Sequence, residues 1–74
     1  MSNWPSTKAR KVYRALLRLG WAPKPGSRKG SSHIQLVHPN KTGAYTWAFH
    51  DDVELGPNML RRIAKHTGLK PEDL

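Results

Sequence analysis

Apolar positions recur at Ala9, Val12, Tyr13, Leu16 and Leu17, the i, i+3, i+4, i+7, i+8 spacing of a helix with one buried stripe. The spacing predicts a helix over about 7–19, capped by Ser6 and stopped by Gly20, which adopts positive φ at no steric cost. At roughly 100° per residue, Lys8, Lys11, Arg14 and Arg18 fall on the opposite side. Residues 1–6 are expected to form a flexible N-terminal arm closed by Pro5.

After Gly20 the period changes. Trp21-Ala22-Pro23 reads as extended, and Pro23 and Pro25 suit an edge strand because proline cannot donate to a sheet ladder. Over 31–38 the pattern alternates, with Ile34 and Leu36 on one side and His33, Gln35 and Val37 on the other. Residues 38–43, "HPNKTG", carry turn chemistry, and 45–50 read as the returning strand of a hairpin. Tyr45, Trp47 and Phe49 share one side of it. They serve either the core or base stacking, and economy in so small a domain favours the core. "HDDVELGP" reads as a loop, with Pro57 at the first position of a second helix. Leu60, Ile63, Ala64 and Thr67 form that helix's inner stripe, and Gly68 stops it. The expected fold class is α+β: a helix, two or three antiparallel strands and a helix, with both helices on one sheet face.

Length and charge narrow the function. Seventy-four residues suit a single domain over 1–74 that hides only ~60% of its unfolded surface. There is no cysteine, so disulfides and thiolate zinc sites are excluded, as suits a reducing cytoplasm. No apolar run approaches the ~18–20 residues that span a bilayer. Arg14 and Arg18 also interrupt the one apolar stretch that a signal peptide would need. The expectation is a soluble, cytoplasmic protein. The net charge is +8: residues 1–50 hold nine basic residues and no acid, and 51–74 hold four basic residues against five acids. Such a one-sided field attracts polyanions, so nucleic acid is the expected partner and an acidic protein the second choice. The first helix's basic side, Lys11 and Arg14 included, carries one sign and no i, i+4 acid, which favours phosphate contact over a merely solvated face.

One histidine stands where turn becomes strand. In "SRKGSSHIQL" (27–36), Arg28 and Lys29 precede the small turn Gly30-Ser31-Ser32, whose N–H groups and hydroxyls can approach a phosphate, and His33 follows. Three roles suit it: holding the turn, binding a metal, or moving a proton. An imidazole beside phosphate-binding groups fits RNA cleavage, in which a ribose 2′-hydroxyl attacks its neighbouring phosphate and the leaving 5′-oxygen is protonated. The bland alternative is a surface or hydrogen-bonding histidine, the commoner fate of one in a strand. For metal, His33, His38 and His50 are the candidates, but the hairpin supplies no acid and the local charge repels cations. No metal and no cofactor are therefore expected.

From about Lys8 to Leu74 the chain resembles the HicA-type toxins of bacterial toxin–antitoxin modules. The resemblance is carried by a first helix ending in "LGW" (19–21), by "KGSSHIQL" (29–36), and by "FHDDVELGPNMLRRIAKHTGL" (49–69). It implies a double-stranded-RNA-binding-domain-like fold, a metal-independent endoribonuclease acting on messenger RNA, and a cognate HicB-type antitoxin. By position the family's essential histidine is His33, with Gly30 and Ser31 forming the turn before it. Arg28 and Lys29 are then expected to hold the phosphate, with Lys11 and Arg14 adding to RNA binding. His50 matches a histidine that follows the family's last strand. Its alternatives are a second proton-transfer group or a hydrogen-bonding cap on its loop, the cap being favoured. His38 and His66 read as structural or surface residues. Ser32 stands where many relatives have a second histidine or an asparagine, and Trp47-Ala48-Phe49 replaces their small, proline-containing strand end.

The rival from another class is a non-catalytic RNA-binding module of the same fold. A DNA-binding regulator is a third reading. Arg61, Arg62 and Lys65 lie on the second helix, but its outer face otherwise offers little to read bases. The expected partners are thus messenger RNA and an antitoxin covering His33 and the first helix, with the free chain a monomer.

Overall fold

A computed structural model describes residues 4–25 and 33–74. In chain order it contains β1 (Thr7–Lys8), α1 (Ala9–Arg18), β2 (Ala22–Pro23), β3 (Ile34–His38), β4 (Lys41–Trp47), β5 (Glu54–Leu55), α2 (Pro57–Thr67) and a 3-10 turn (Pro71–Asp73). β2, β3 and β4 form an antiparallel sheet in that order, and β1 pairs with β5 in a separate two-stranded ribbon. This is the expected α+β arrangement with one ribbon added.

Both helices pack on the same sheet face. Ile34 lies opposite Trp47 and Leu36 opposite Tyr45, so these four side chains share that face. Tyr13 of α1 packs on Trp47 with ring centroids 5.6 Å apart, and His66 of α2 stacks on Tyr45 at 5.7 Å. Leu16, Leu36, Leu60 and Ile63 are fully buried between the two helices and the sheet. Trp47 is 2% exposed and belongs to the core, whereas Tyr45 and Phe49 are half-buried against it.

The start of α1 differs from expectation. Thr7 and Lys8 pair with Leu55 and Glu54 instead of entering the helix, and Lys8 rather than Ser6 takes the cap position. No side chain caps it. The Ala9 amide donates to the Val53 carbonyl at 2.7 Å and the Arg10 amide to the Asp51 carbonyl at 3.3 Å. The 51–53 loop thereby satisfies helix-start donors that a serine would otherwise serve. "HDDVELGP" is accordingly not wholly a loop, because Glu54 and Leu55 complete the ribbon and Leu55 is buried.

The buried stripe of α1 is also turned. Ala9, Val12, Ala15 and Leu16 are buried, Tyr13 is half-buried, and Leu17 is 40% exposed. Ala15 replaces Leu17 because Leu17 lies roughly 130° from the stripe's centre at 100° per residue. Trp4 likewise departs from the expected N-terminal arm: it is buried in the core.

The hairpin turn is tighter than "HPNKTG" suggests, since β4 already begins at Lys41 and ends at Trp47. The register shifts between Leu36 and His38, and Gly43, at φ +80°, lies in the extra β4 segment. A bulge on this outer strand twists the sheet edge and discourages pairing with another chain. α2 runs from Pro57 to Thr67, is ended by Gly68 at φ +79°, and buries Leu60, Ile63 and Thr67 with Ala64 half-buried. Among the described residues no helix is long and apolar enough to cross a membrane.

Candidate active site

His33 is exposed and immediately precedes β3. Its position follows from the alternation. Ile34 must be buried against the helices, and Ile34 faces Trp47 across the ladder, so the residue before it leaves the core at the sheet's end. Arg28, Lys29, Gly30 and Ser31, the expected phosphate-holding residues, lie outside the described residues. Lys11 and Arg14 are exposed on α1, as are Arg10 and Arg18. Lys8, expected on the same helix face, belongs to β1 and donates through Nζ to the Asp52 carbonyl at 3.2 Å.

The register that places Ile34 opposite Trp47 also brings the segment after β4 beside the head of β3. There a cleft of about 340 Å³ opens between α1 and that segment. Tyr13, Ile34, Trp47 and Phe49 line its apolar part, and His50, Asp51 and Asp52 line the rest. Phe49 meets Trp47 edge-on, with centroids 5.1 Å apart. The His50 carbonyl accepts the Val53 amide at 3.1 Å, which closes the turn after β4. The loop cap is thus supplied by the His50 main chain, and its exposed imidazole is left on the cleft wall. Tyr13, Asp51 and Asp52 are members of this surface that periodicity does not reveal: Tyr13 fits a core stripe, and the two aspartates read as loop residues.

The other two histidines stand apart from the cleft. His38 Nε2 lies 2.9 Å from the Leu19 carbonyl, and the Asn40 amide donates to His38 Nδ1 at 3.0 Å. The Nδ1 position is therefore an acceptor, so Nε2 carries the proton and donates to Leu19. His66 is occupied by its stack on Tyr45. His38 is structural, and His66 is an exposed residue that packs on Tyr45. Among the described residues no three histidine or acidic side chains gather as a metal-binding group.

Chemically, the surface combines an exposed imidazole at a strand head, a cationic helix and a half-open aromatic cleft with a second imidazole. A family described as HicA toxin of bacterial toxin–antitoxin matches residues 9–69. No curated protein and no solved structure matches the chain.

Proposed function

The chain belongs to the HicA toxin family of bacterial toxin–antitoxin modules, and on that premise we propose that it silences translation by cutting messenger RNA through His33. The observation that carries this reading is the exposure of His33 at the head of β3, the position of the family's signature histidine. Family membership supports the toxin role. The chemistry of the exposed surface supports RNA as its substrate.

The reaction needs no cofactor. A base withdraws the proton of a ribose 2′-hydroxyl, and O2′ attacks the adjacent phosphorus. The bond from phosphorus to O5′ breaks, and an acid protonates the departing O5′. The products are a 2′,3′-cyclic phosphate and a free 5′-hydroxyl. His33 performs one of the two proton transfers, since imidazole titrates near neutral pH. His50 is the candidate for the other, being exposed on the cleft wall. Arg28 and Lys29, with the amides of Gly30 and Ser31, offset the charge that grows on the phosphate oxygens. Lys11 and Arg14 hold flanking phosphates and steer the strand inward.

A HicB-type antitoxin is the expected inhibitor. A chain with a net charge of +8 is best silenced by an acidic surface laid over His33 and α1, and opposite charge speeds that encounter.

The test is cleavage of labelled single-stranded RNA in EDTA by the native chain and by His33→Ala, with binding recorded in parallel. The reading requires cutting by the native chain, a loss of ~10²–10⁴ in rate for the variant, and similar binding by both. Equal cutting by both would remove His33 from the mechanism. Binding without cutting by either would make the chain a non-catalytic RNA-binding module.

A further inference from the structure

The part of the cleft lined by Asp51 and Asp52 does not suit a phosphate. Both residues are exposed, in a chain with only five acidic residues. Two carboxylates repel a phosphate oxygen. Their main chain is pinned, because the Asp51 carbonyl accepts the Arg10 amide and the Asp52 carbonyl accepts Lys8 Nζ. The carboxylates themselves have no side-chain partner among the described residues. The same cleft is lined by Tyr13 and Phe49, both half-buried, each of which packs on the buried Trp47.

Aromatic rings stack on any nucleobase, and carboxylate oxygens accept N–H donors. We infer that this cleft seats one unpaired RNA base that presents N–H groups, guanine foremost. The inference rests on the proposed RNA substrate and names how that substrate is read. Guanine's pairing edge carries N1–H and an N2 amino group side by side, a match for the two oxygens of one carboxylate. Adenine and cytosine each set an amino group beside a ring-nitrogen acceptor. Uracil flanks its single N–H with two carbonyls, which a carboxylate repels. Single-stranded RNA leaves these edges free to be read.

The volume agrees, since about 340 Å³ lies at the small end of the ~300–1,000 Å³ typical of ligand sites. Placement agrees as well. Ile34 lines the cleft and directly follows His33, so a seated base brings its neighbouring phosphodiester to the head of β3. Cleavage is then biased towards bonds beside guanine, and the base pocket rather than the phosphate grip selects the site.

The experiment uses the full chain and four 2′-O-methyl RNA trinucleotides with uridine flanks and guanine, adenine, cytosine or uracil in the centre. The blocked 2′-oxygen prevents the proposed reaction, so binding is read independently of cutting. Amide NMR spectra are recorded for the native chain and for the double variant Asp51→Asn/Asp52→Asn. The central-guanine ligand is expected to shift the amides of Tyr13, Phe49, His50 and Asp51 saturably and to bind most tightly. The variant is expected to bind that ligand ~10-fold or more weakly, as lost base-edge contacts do. Both aspartates are exposed, and the variant's own spectrum shows whether it is folded.

Equal affinity for the four ligands, or shifts only at α1, overturns the inference. So does a cleft that responds to an antitoxin and to no trinucleotide, which would make it a protein-docking surface. If the cleft selects guanine yet the chain fails to cut RNA in EDTA, the pocket stands and the nuclease reading falls. Cutting without cleft binding has the reverse meaning.

Discussion

His38 donates its Nε2 proton to the Leu19 carbonyl at 2.9 Å while its Nδ1 accepts the Asn40 amide at 3.0 Å. One ring therefore ties the end of α1 to the hairpin turn, and Trp21 packs beside it with centroids 5.3 Å apart. Gly20 makes this approach possible. Its φ is +105°, and a Cβ there would stand 2.9 Å from His38 Nε2. A glycine that reads from sequence as a helix stop is also the floor beneath a histidine distant in sequence.

Gly20→Ala is expected to cost about 1–3 kcal/mol through backbone strain and the clash with His38. His38→Ala is expected to cost about 1–3 kcal/mol, because it leaves the part-buried Leu19 carbonyl without its donor and unties the turn at Asn40. The double variant should lose less than the sum, since removing the imidazole removes the clash. Urea denaturation of all four chains measures the coupling, and strict additivity would refute the proposed contact.

Thr67 is a buried polar junction. Its hydroxyl donates to the Ile63 carbonyl at 2.7 Å and accepts the Leu69 amide at 3.3 Å, and its own carbonyl accepts Trp21 Nε1–H at 3.2 Å. Thr67→Val keeps the shape and leaves the Leu69 amide without its acceptor. A loss of about 1–3 kcal/mol is expected by thermal or urea unfolding.

Burial raises the Tyr45 phenol above its ordinary value of 10.0, because desolvation penalises the phenolate. Below 10.0 both folded and unfolded chains keep the proton, and stability is unaffected. As pH rises past 10.0 the unfolded chain ionises first, so stability falls until the folded-state pKa is passed. Denaturation midpoints between pH 9 and pH 12 should therefore drop for the native chain and drop less for Tyr45→Phe. Parallel curves for the two chains would exclude Tyr45 as the cause.

If α1 holds RNA by charge, Lys11→Gln and Arg14→Gln should each weaken binding about equally for all RNA sequences. Each should also reduce the salt dependence, lowering the slope of log K against log salt by roughly 1. Both side chains are exposed, so unfolding midpoints should move little. Binding curves from low to moderate salt decide this. An unchanged slope would place the RNA elsewhere.

Formation of the toxin–antitoxin complex should bury His33. Ethoxyformylation of histidine imidazoles is expected to modify His33 in the free chain and to spare it in the complex, as read by peptide mass spectrometry. Equal modification in both would show that the antitoxin acts without covering this residue.

Much of the fold is legible in the sequence, because period and punctuation are local properties. The 3.6-residue stripe through Leu60 and Ile63, the alternation of Ile34 and Leu36, and the stops at Gly20 and Gly68 each depend on residues a few positions apart. These appear in the structure where they are expected. Errors fall where a distant segment intervenes. Thr7 and Lys8 are drawn out of the helix by Glu54 and Leu55, and a two-residue strand is too short to show alternation. Leu17 yields to Ala15 because the stripe's phase is set by what α1 packs against. Trp4 is buried although the polar residues around it suggest an arm.

For the candidate site the same division holds. The sequence alone determined the exposed histidine at the head of a strand, the basic helix and the family resemblance, since these are matters of residue type and order. Only the tertiary structure decided that Tyr13, Phe49, His50 and the two aspartates line one cleft beside Ile34. It also decided that Trp47 is core and that His38 is a clamp. Contacts between residues far apart in the chain are set by packing one sheet face against two helices, and no local pattern encodes which side chains then meet.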